Sequence, residues 1–152
     1  MLVQTHFKNK EKIPKDYTFD GKNVSPPFLI KDLPNGTKSL VLICEDPDAI
    51  RVCGFSWIHW VLFDIPVEGK ELKIEEGKVP SKAKRGINSF KNLDYGGPSP
   101  PKGTGVHNYH FVFYALDDFL NLKEGATKEE IIKEMQGHIL EKAEIVGTFW
   151  RD

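Results

Sequence analysis

Three short runs of β-branched and aromatic residues constrain the fold of this chain most strongly. They read SLVLIC from Ser39, WIHWVLFDI from Trp57 and YHFVFYAL from Tyr109, and turn-forming sequences rich in glycine, proline and aspartate separate them. This rhythm is typical of a mainly β protein with an antiparallel sandwich or barrel. The runs are apolar at consecutive positions, so both faces of the strands must be covered, which predicts three layers in part of the fold.

One segment near the C-terminus departs from the β pattern. Thr127 is predicted as a helix N-cap with Glu130 as its capping-box partner. Helical spacing then follows in a set of apolar residues: Ile131, Ile132, Met135, Ile139 and Leu140. The closing sequence AEIVGTFW predicts a final short strand. We therefore expect one or two helices beside the sheets.

Length and composition narrow the class of protein. The 152 residues predict a single domain spanning residues 1–152. A net charge of −1 gives no field that would attract nucleic acid or an anionic membrane. No apolar segment is long enough for a signal peptide or a membrane span, so we expect a cytoplasmic protein without stable membrane insertion. Cys44, within an apolar run, is interpreted as a small buried hydrophobe.

Two carboxylates follow the first apolar run in the sequence EDPDAI. Asp46 and Asp48 flank Pro47, which fixes its own φ and restricts the residue before it. A pair of this kind could serve catalysis, bind a metal or simply form a turn. We expect Asp46 or Asp48 to accept a hydrogen bond from an imidazole of the site.

A histidine lies within the second apolar run. Regular strand alternation would place Trp57, His59, Val61 and Phe63 on one face of the sheet. A histidine facing a core needs a hydrogen-bond partner. His59 is therefore either a satisfied core residue or part of a site.

The sequence GPSPPKGTGVHNY, from Gly97 to Tyr109, is rich in residues that control the backbone. Its prolines stiffen the loop, and Gly103 could let backbone amides approach an anion. His107 and Tyr109 should point to the same side of the strand that follows. Together with the aspartates and His59, they predict a small polar pocket with apolar walls.

These motifs together resemble the phosphatidylethanolamine-binding protein family, in particular its short bacterial and archaeal branch. The blocks DPDA, HWVLFDIP and YGGPSPPKGTGVHNYHF carry the resemblance, and GKNVSPPF and EIVGTFW extend it over nearly the whole chain. It implies two antiparallel β-sheets with Greek-key connections and flanking helices. It also implies an anion pocket lined by Asp46, Asp48, His59, Pro101, His107 and Tyr109, to which we add Gly103 from the loop.

Two positions depart from the family pattern. Ile50 stands where relatives usually have proline, so the loop after Ala49 could take another path. Ser89 stands where relatives often have aspartate, so one loop carboxylate is missing.

Two functions compete at this point. The first is a binding module for small anions such as phosphate or phosphoesters, without catalytic residues or a cofactor, since no serine or cysteine lies in a recognisable nucleophile motif. The resemblance adds a kinase or serine protease as a protein partner, and a homodimer. The alternative is a metal-assisted hydrolase using Asp46, Asp48, His59 and His107, although the resemblance implies no metal.

Overall fold

The computed structural model describes all 152 residues and contains two antiparallel sheets. The strands are β1 (Leu2–Gln4), β2 (Phe28–Lys31), β3 (Ser39–Asp46), β4 (Trp57–Pro66), β5 (Leu72–Ile74), β6 (Lys84–Arg85), β7 (His107–Leu116) and β8 (Ile139–Phe149). The smaller sheet has the order β1-β2-β5, and the larger has the order β6-β4-β3-β7-β8. Within the larger sheet, β7-β3-β4-β6 follows a Greek-key order, with β5 diverted into the smaller sheet. The predicted fold class is confirmed.

The larger sheet is covered on both faces. A cluster of 19 buried residues fills the space between the two sheets and includes Leu42, Trp60 and Phe111. A second cluster of nine buried residues, including Val41 and Ile131, lies on the opposite face. Consecutive apolar residues of β3 alternate between these clusters, so the predicted three-layer arrangement is confirmed.

Two α-helices accompany the sheets. Helix α1 (Ile50–Cys53) follows a 3-10 turn after β3, and helix α2 (Lys128–Met135) contributes to the second cluster. The α2 capping box forms as predicted: the Glu130 amide donates to Thr127 Oγ1 at 3.1 Å, and the Thr127 amide donates to Glu130 Oε1 at 3.1 Å. Neither helix is long and apolar enough to cross a membrane.

The C-terminal end of the predicted helix is wrong. Helix α2 ends at Met135, and Ile139 and Leu140 belong to β8 instead. Gly137 has a φ of +85°, a left-handed conformation that ends a helix. β8 then pairs with β7 along its length, so backbone hydrogen bonding to a neighbouring strand prevails over the helical spacing. The final strand is consequently longer than the sequence predicts.

Candidate functional site

A pocket of about 240 Å³ lies at one end of the larger sheet. The end of β3 and the beginnings of β4 and β7 meet there because neighbouring strands are antiparallel. The segments Ala49–Cys53 and Ser99–Pro101 complete its walls. Its polar lining residues are Asp46, His59, Ser99, His107 and Tyr109, and its other lining residues are Ala49, Val52, Cys53, Trp57, Phe90, Pro100 and Pro101.

The structure brings five of the seven predicted site residues to this pocket: Asp46, His59, Pro101, His107 and Tyr109. Asp48 and Gly103 lie outside its lining. The chemistry of the pocket therefore depends on one carboxylate, two imidazoles and one phenol.

Asp46 and His107 form the central polar pair. His107 Nδ1 lies 2.6 Å from Asp46 Oδ2, and both side chains are almost fully buried. His107 Nε2 lies 2.9 Å from Thr104 Oγ1, which itself donates to the Pro101 carbonyl oxygen at 2.7 Å. Since a carbonyl oxygen only accepts, the single hydroxyl proton of Thr104 is committed, and His107 Nε2 must donate to Thr104.

The shared proton of the pair follows from this chain of hydrogen bonds. With Nε2 protonated, the contact between His107 Nδ1 and Asp46 Oδ2 holds one further proton. Burial raises the pKa of Asp46 above its ordinary value, although the His107 hydrogen bond acts to lower it. The predicted contact between a DPDA aspartate and a pocket imidazole is present at Asp46, whose other oxygen, Oδ1, is buried without a partner.

A β-bulge places His59 at the pocket. β3 pairs Cys44 with Trp60 but Glu45 with Ile58, so His59 is the extra residue of β4. A bulge of this kind reorients the side chains that follow it. Trp60 consequently packs in the core between the sheets.

The strand face predicted for His59 is wrong for this reason. Val61 and Phe63 pack in the second cluster, on the face opposite to Trp60 and Leu62. His59 instead packs edge-on against Tyr109, a member of the first cluster, with ring centroids 5.2 Å apart.

His59 satisfies one nitrogen through the backbone. Its Nδ1 lies 2.5 Å from the Gly96 carbonyl oxygen, and because a carbonyl cannot donate, Nδ1 carries the proton. Burial lowers the pKa of His59 to about 4, so the ring is neutral near pH 7. Nε2 is then an acceptor and is the nitrogen left for the pocket.

Tyr109 is the hydrogen-bond donor of the pocket. Only 1 % of its surface is exposed, and its hydroxyl makes no hydrogen bond within the protein. Burial raises the pKa of Tyr109 well above its ordinary value, so the phenol stays protonated. Its ring stacks beside His107 with centroids 6.4 Å apart, which confirms that the two side chains share one side of β7.

Asp48 holds the start of β7 rather than the pocket. Its Oδ2 accepts from the Asn108 amide at 2.7 Å and from Asn108 Nδ2 at 2.9 Å. Its Oδ1 accepts from Arg51 Nη1 at 3.1 Å. The 3-10 turn Pro47–Ala49 rotates Asp48 away from the direction of Asp46. The expectation that both aspartates line the site therefore holds for Asp46 alone.

Arg51 is a residue that sequence reasoning missed. Its guanidinium donates to the Thr104 carbonyl at 3.0 Å and to the Val106 carbonyl at 2.8 Å, in addition to Asp48. It thereby ties α1 to the loop before β7. The three-residue spacing between Asp48 and Arg51 was the only local signal, whereas both carbonyl partners are more than 50 residues away.

Gly103 determines the backbone path of the loop and does not present its amide to an anion. Gly103 has a φ of +73°, and its amide donates to the Arg151 carbonyl at 3.1 Å. The predicted donation from Gly103 to a ligand is therefore not available in this arrangement. Pro101 lines the pocket, and its carbonyl holds Thr104 in position for His107.

The two departures from the family pattern have separate structural roles. Ile50 begins α1 and is 55 % exposed. Ser89 Oγ accepts from the Ile58 amide at 2.8 Å, and the Ser89 amide donates to the Ile58 carbonyl at 2.9 Å. Ser89 thus holds its loop to β4. The next residue, Phe90, packs edge-on against His59, with ring centroids 5.5 Å apart.

The residues of the hydrolase alternative do not assemble as a metal site. Asp46 and His107 bind each other, while Asp48 is committed to Asn108 and Arg51. No group of three histidine, cysteine, aspartate or glutamate side chains is arranged to hold a metal ion.

Comparison with known proteins places this chain among relatives of the same architecture. Residues 3–150 match the family model described as phosphatidylethanolamine-binding protein. A UPF0098 protein of Aquifex aeolicus is 48% identical over 149 residues, which cover 96% of this chain and 85% of that protein. None of these descriptions names an enzymatic activity.

Solved structures of similar proteins have the same fold. A putative phosphatidylethanolamine-binding protein homologue from Chlamydia trachomatis has a TM-score of 0.87 and 38% identity, covering 99% of this chain and 97% of the other. Escherichia coli YbcL also has a TM-score of 0.87, with 26% identity, covering 99% and 98% of the two chains. A carboxypeptidase Y inhibitor in complex with its cognate proteinase shares the fold alone. Its identity is 17% and its TM-score 0.55, covering 84% of this chain and 71% of the inhibitor. The chain belongs to the phosphatidylethanolamine-binding protein family.

Proposed function

We propose that this protein is a non-catalytic binding module whose pocket takes a small oxyacid group of the phosphate or phosphoester type. The observation that carries the proposal is the Tyr109 hydroxyl, a donor that makes no hydrogen bond within the protein and belongs to a pocket that Asp46, His59 and His107 also line. A bound oxyanion would supply the acceptor that Tyr109 lacks.

The size of the pocket sets what can enter it. A volume of about 240 Å³ is below the roughly 300–1,000 Å³ typical of sites for drug-sized ligands. Such a space suits a phosphate-sized group with a small substituent. Trp57, Phe90 and Pro101 supply the walls beside it. We therefore expect any larger ligand to place only its head group in the pocket.

The absence of an activated nucleophile favours binding over catalysis. Ser99 is exposed, and its hydroxyl contacts Arg151 Nη1 at 3.3 Å rather than a base. The Cys53 sulfur lies 3.4 Å from both the Ala49 and the Phe55 carbonyl oxygens, to which its single S–H can donate. Neither residue is paired with an imidazole or carboxylate that could remove its proton.

A protein partner is the second part of the proposal. Val52, which lines the pocket, and Phe55, which stacks on the lining residue Trp57, are each more than 40 % exposed. This apolar rim could contact a kinase, a serine protease or a second copy of the chain. The carboxypeptidase Y inhibitor, which shares the fold, is solved in complex with its cognate proteinase. Both cysteines are free, which suits the cytoplasm we propose as its compartment.

The test of the proposed function is calorimetric titration with methyl phosphate. We expect Tyr109→Phe to bind about 10–100-fold more weakly than the wild type, because one hydrogen bond to a charged acceptor is lost. Tyr114→Phe is the matched control, since Tyr114 lies on the opposite face of β7 and packs against the second cluster. Equal affinity in all three proteins would show that the pocket is not the binding site.

A further inference from the structure

The pocket presents more hydrogen-bond acceptors than a site for a fully ionised phosphate would need. Asp46 Oδ1 is buried without a partner, while Oδ2 is bound to His107. His59 donates through Nδ1 to Gly96, which leaves Nε2 as a lone-pair acceptor. Asp46 Oδ1 is therefore a buried acceptor without a partner, which destabilises a protein, and His59 Nε2 is a second acceptor at the same pocket.

A phosphate dianion has only acceptor oxygens, so it would be repelled by the Asp46 carboxylate and could donate no hydrogen bond to His59 Nε2. A ligand that carries an O–H group would instead donate to one of them and still accept from the Tyr109 hydroxyl. We infer that the pocket selects the monoprotonated form of a phosphomonoester, with its P–OH group donating to Asp46 Oδ1. This inference rests on the proposed function and specifies the class of ligand.

Two other ligand classes match the pocket less well. A phosphodiester has no P–OH group and leaves Asp46 Oδ1 without a donor. An ammonium group supplies donors but offers the Tyr109 hydroxyl no acceptor. The phosphomonoester monoanion supplies both.

Several titratable groups surround Asp46 and enter any pH dependence: His107 and Tyr109 on β7, His59 on β4, and Cys44 and Asp48 on its own segment. Tyr109 and Cys44 both have raised pKa values and stay neutral near pH 7. His59 is neutral there as well. Asp48 is held by Asn108 and Arg51, and burial raises the pKa of Asp46 above its ordinary value.

Proton uptake makes the inference measurable. The second pKa of a phosphomonoester is about 6, so at pH 8 the free ligand is almost entirely a dianion. Binding of the monoanion then takes up close to one proton. We expect the apparent affinity for methyl phosphate to fall about tenfold from pH 7 to pH 8, and the observed enthalpy at pH 8 to vary with the ionisation enthalpy of the buffer.

The experiment titrates wild-type protein at pH 7 and pH 8 in two buffers with methyl phosphate, dimethyl phosphate and methylamine. At pH 7 about one tenth of methyl phosphate is the monoanion, and dimethyl phosphate should bind at least tenfold more weakly than this monoanionic fraction. Asp46→Asn places an amide that can donate at the same position, so its proton uptake should fall to near zero. Asp48→Asn, the same change outside the pocket, should keep proton uptake near one.

The outcomes separate the two proposals. Methyl phosphate binding without proton uptake, or dimethyl phosphate binding as tightly as the monoanionic fraction of methyl phosphate, would overturn the inference and leave the proposed function intact. Tighter binding of methylamine than of methyl phosphate would also overturn it. Failure of both phosphates to bind would contradict the proposed function and the inference together. The wild-type measurements decide the matter even if Asp46→Asn does not fold.

Discussion

His59 shows how one residue couples the pocket to the stability of the protein. Its ring is buried, and its Nδ1 proton is committed to the Gly96 carbonyl at 2.5 Å. Burial lowers its pKa from 6.5 to about 4. At position 59, protons therefore bind the unfolded chain more readily than the folded one. His59 does not reduce the free energy of unfolding above pH 6.5, and its protonation in the unfolded chain lowers that free energy as the pH falls from 6.5 towards 4.

This linkage predicts a measurable difference in stability. Between pH 7.5 and pH 5, the wild type should lose about 2 kcal/mol more free energy of unfolding than His59→Gln. Glutamine removes the titration and keeps an N–H group that can reach the Gly96 carbonyl. Urea denaturation at the two pH values provides the measurement. The raised pKa of Asp46 acts in the opposite direction in both proteins, so it cancels in the comparison.

An identical loss of stability in the wild type and in His59→Gln would contradict this account of His59. It would mean that the imidazole is not held neutral by burial, and that Nε2 is not a fixed acceptor for the pocket.

At the scale of elements, helix α2 belongs to the scaffold and not to the site. Ile131 is completely buried in the second cluster, on the opposite side of the larger sheet from the pocket-facing core. Ile131→Ala should lower the free energy of unfolding by about 2–5 kcal/mol, because it removes buried volume and leaves a cavity. Urea denaturation gives this value. Methyl phosphate affinity, measured well below the melting temperature, should stay within twofold of the wild type; weaker binding at unchanged stability would contradict the assignment.

The elements that sequence reasoning identified are those with strong local patterns. The aromatic and β-branched runs become β3, β4 and β7, and Thr127 and Glu130 form their capping box. Ile139 and Leu140 were misassigned because their spacing fits a helix equally well. What decides their structure is Gly137 and the pairing of β8 with β7, and the second of these is a long-range interaction.

Sequence patterns predict only those residues of the candidate site that lie at the ends of strands. Asp46, His107 and Tyr109 lie where strand periodicity and turn signals place them. The bulge at His59 depends on the register between β3 and β4, which no local pattern specifies. Phe90 reaches the pocket through a loop held by Ser89, a contact that becomes visible only in the folded chain.

At the scale of the whole molecule, the positive charges and the hydrogen-bonding groups that could bind a phosphate lie in different cavities. A larger open groove of about 630 Å³ carries Lys12, Lys15 and Lys102, while its Arg151 is paired with Asp20. A phosphate attracted by charge alone would collect in this groove. The smaller pocket contains no lysine or arginine, and our account places the ligand there because of its hydrogen-bonding groups.

The most direct test is to map methyl phosphate binding by ¹H–¹⁵N correlation spectroscopy of the labelled wild-type protein at pH 7. We predict saturable shifts for the amides of Trp57, His59, Ser99 and Tyr109, and small shifts without saturation for Lys12, Lys15 and Lys102. Saturable shifts confined to the lysine groove, with the pocket amides unmoved, would contradict the claim that the Asp46–His107–Tyr109 pocket is the binding site.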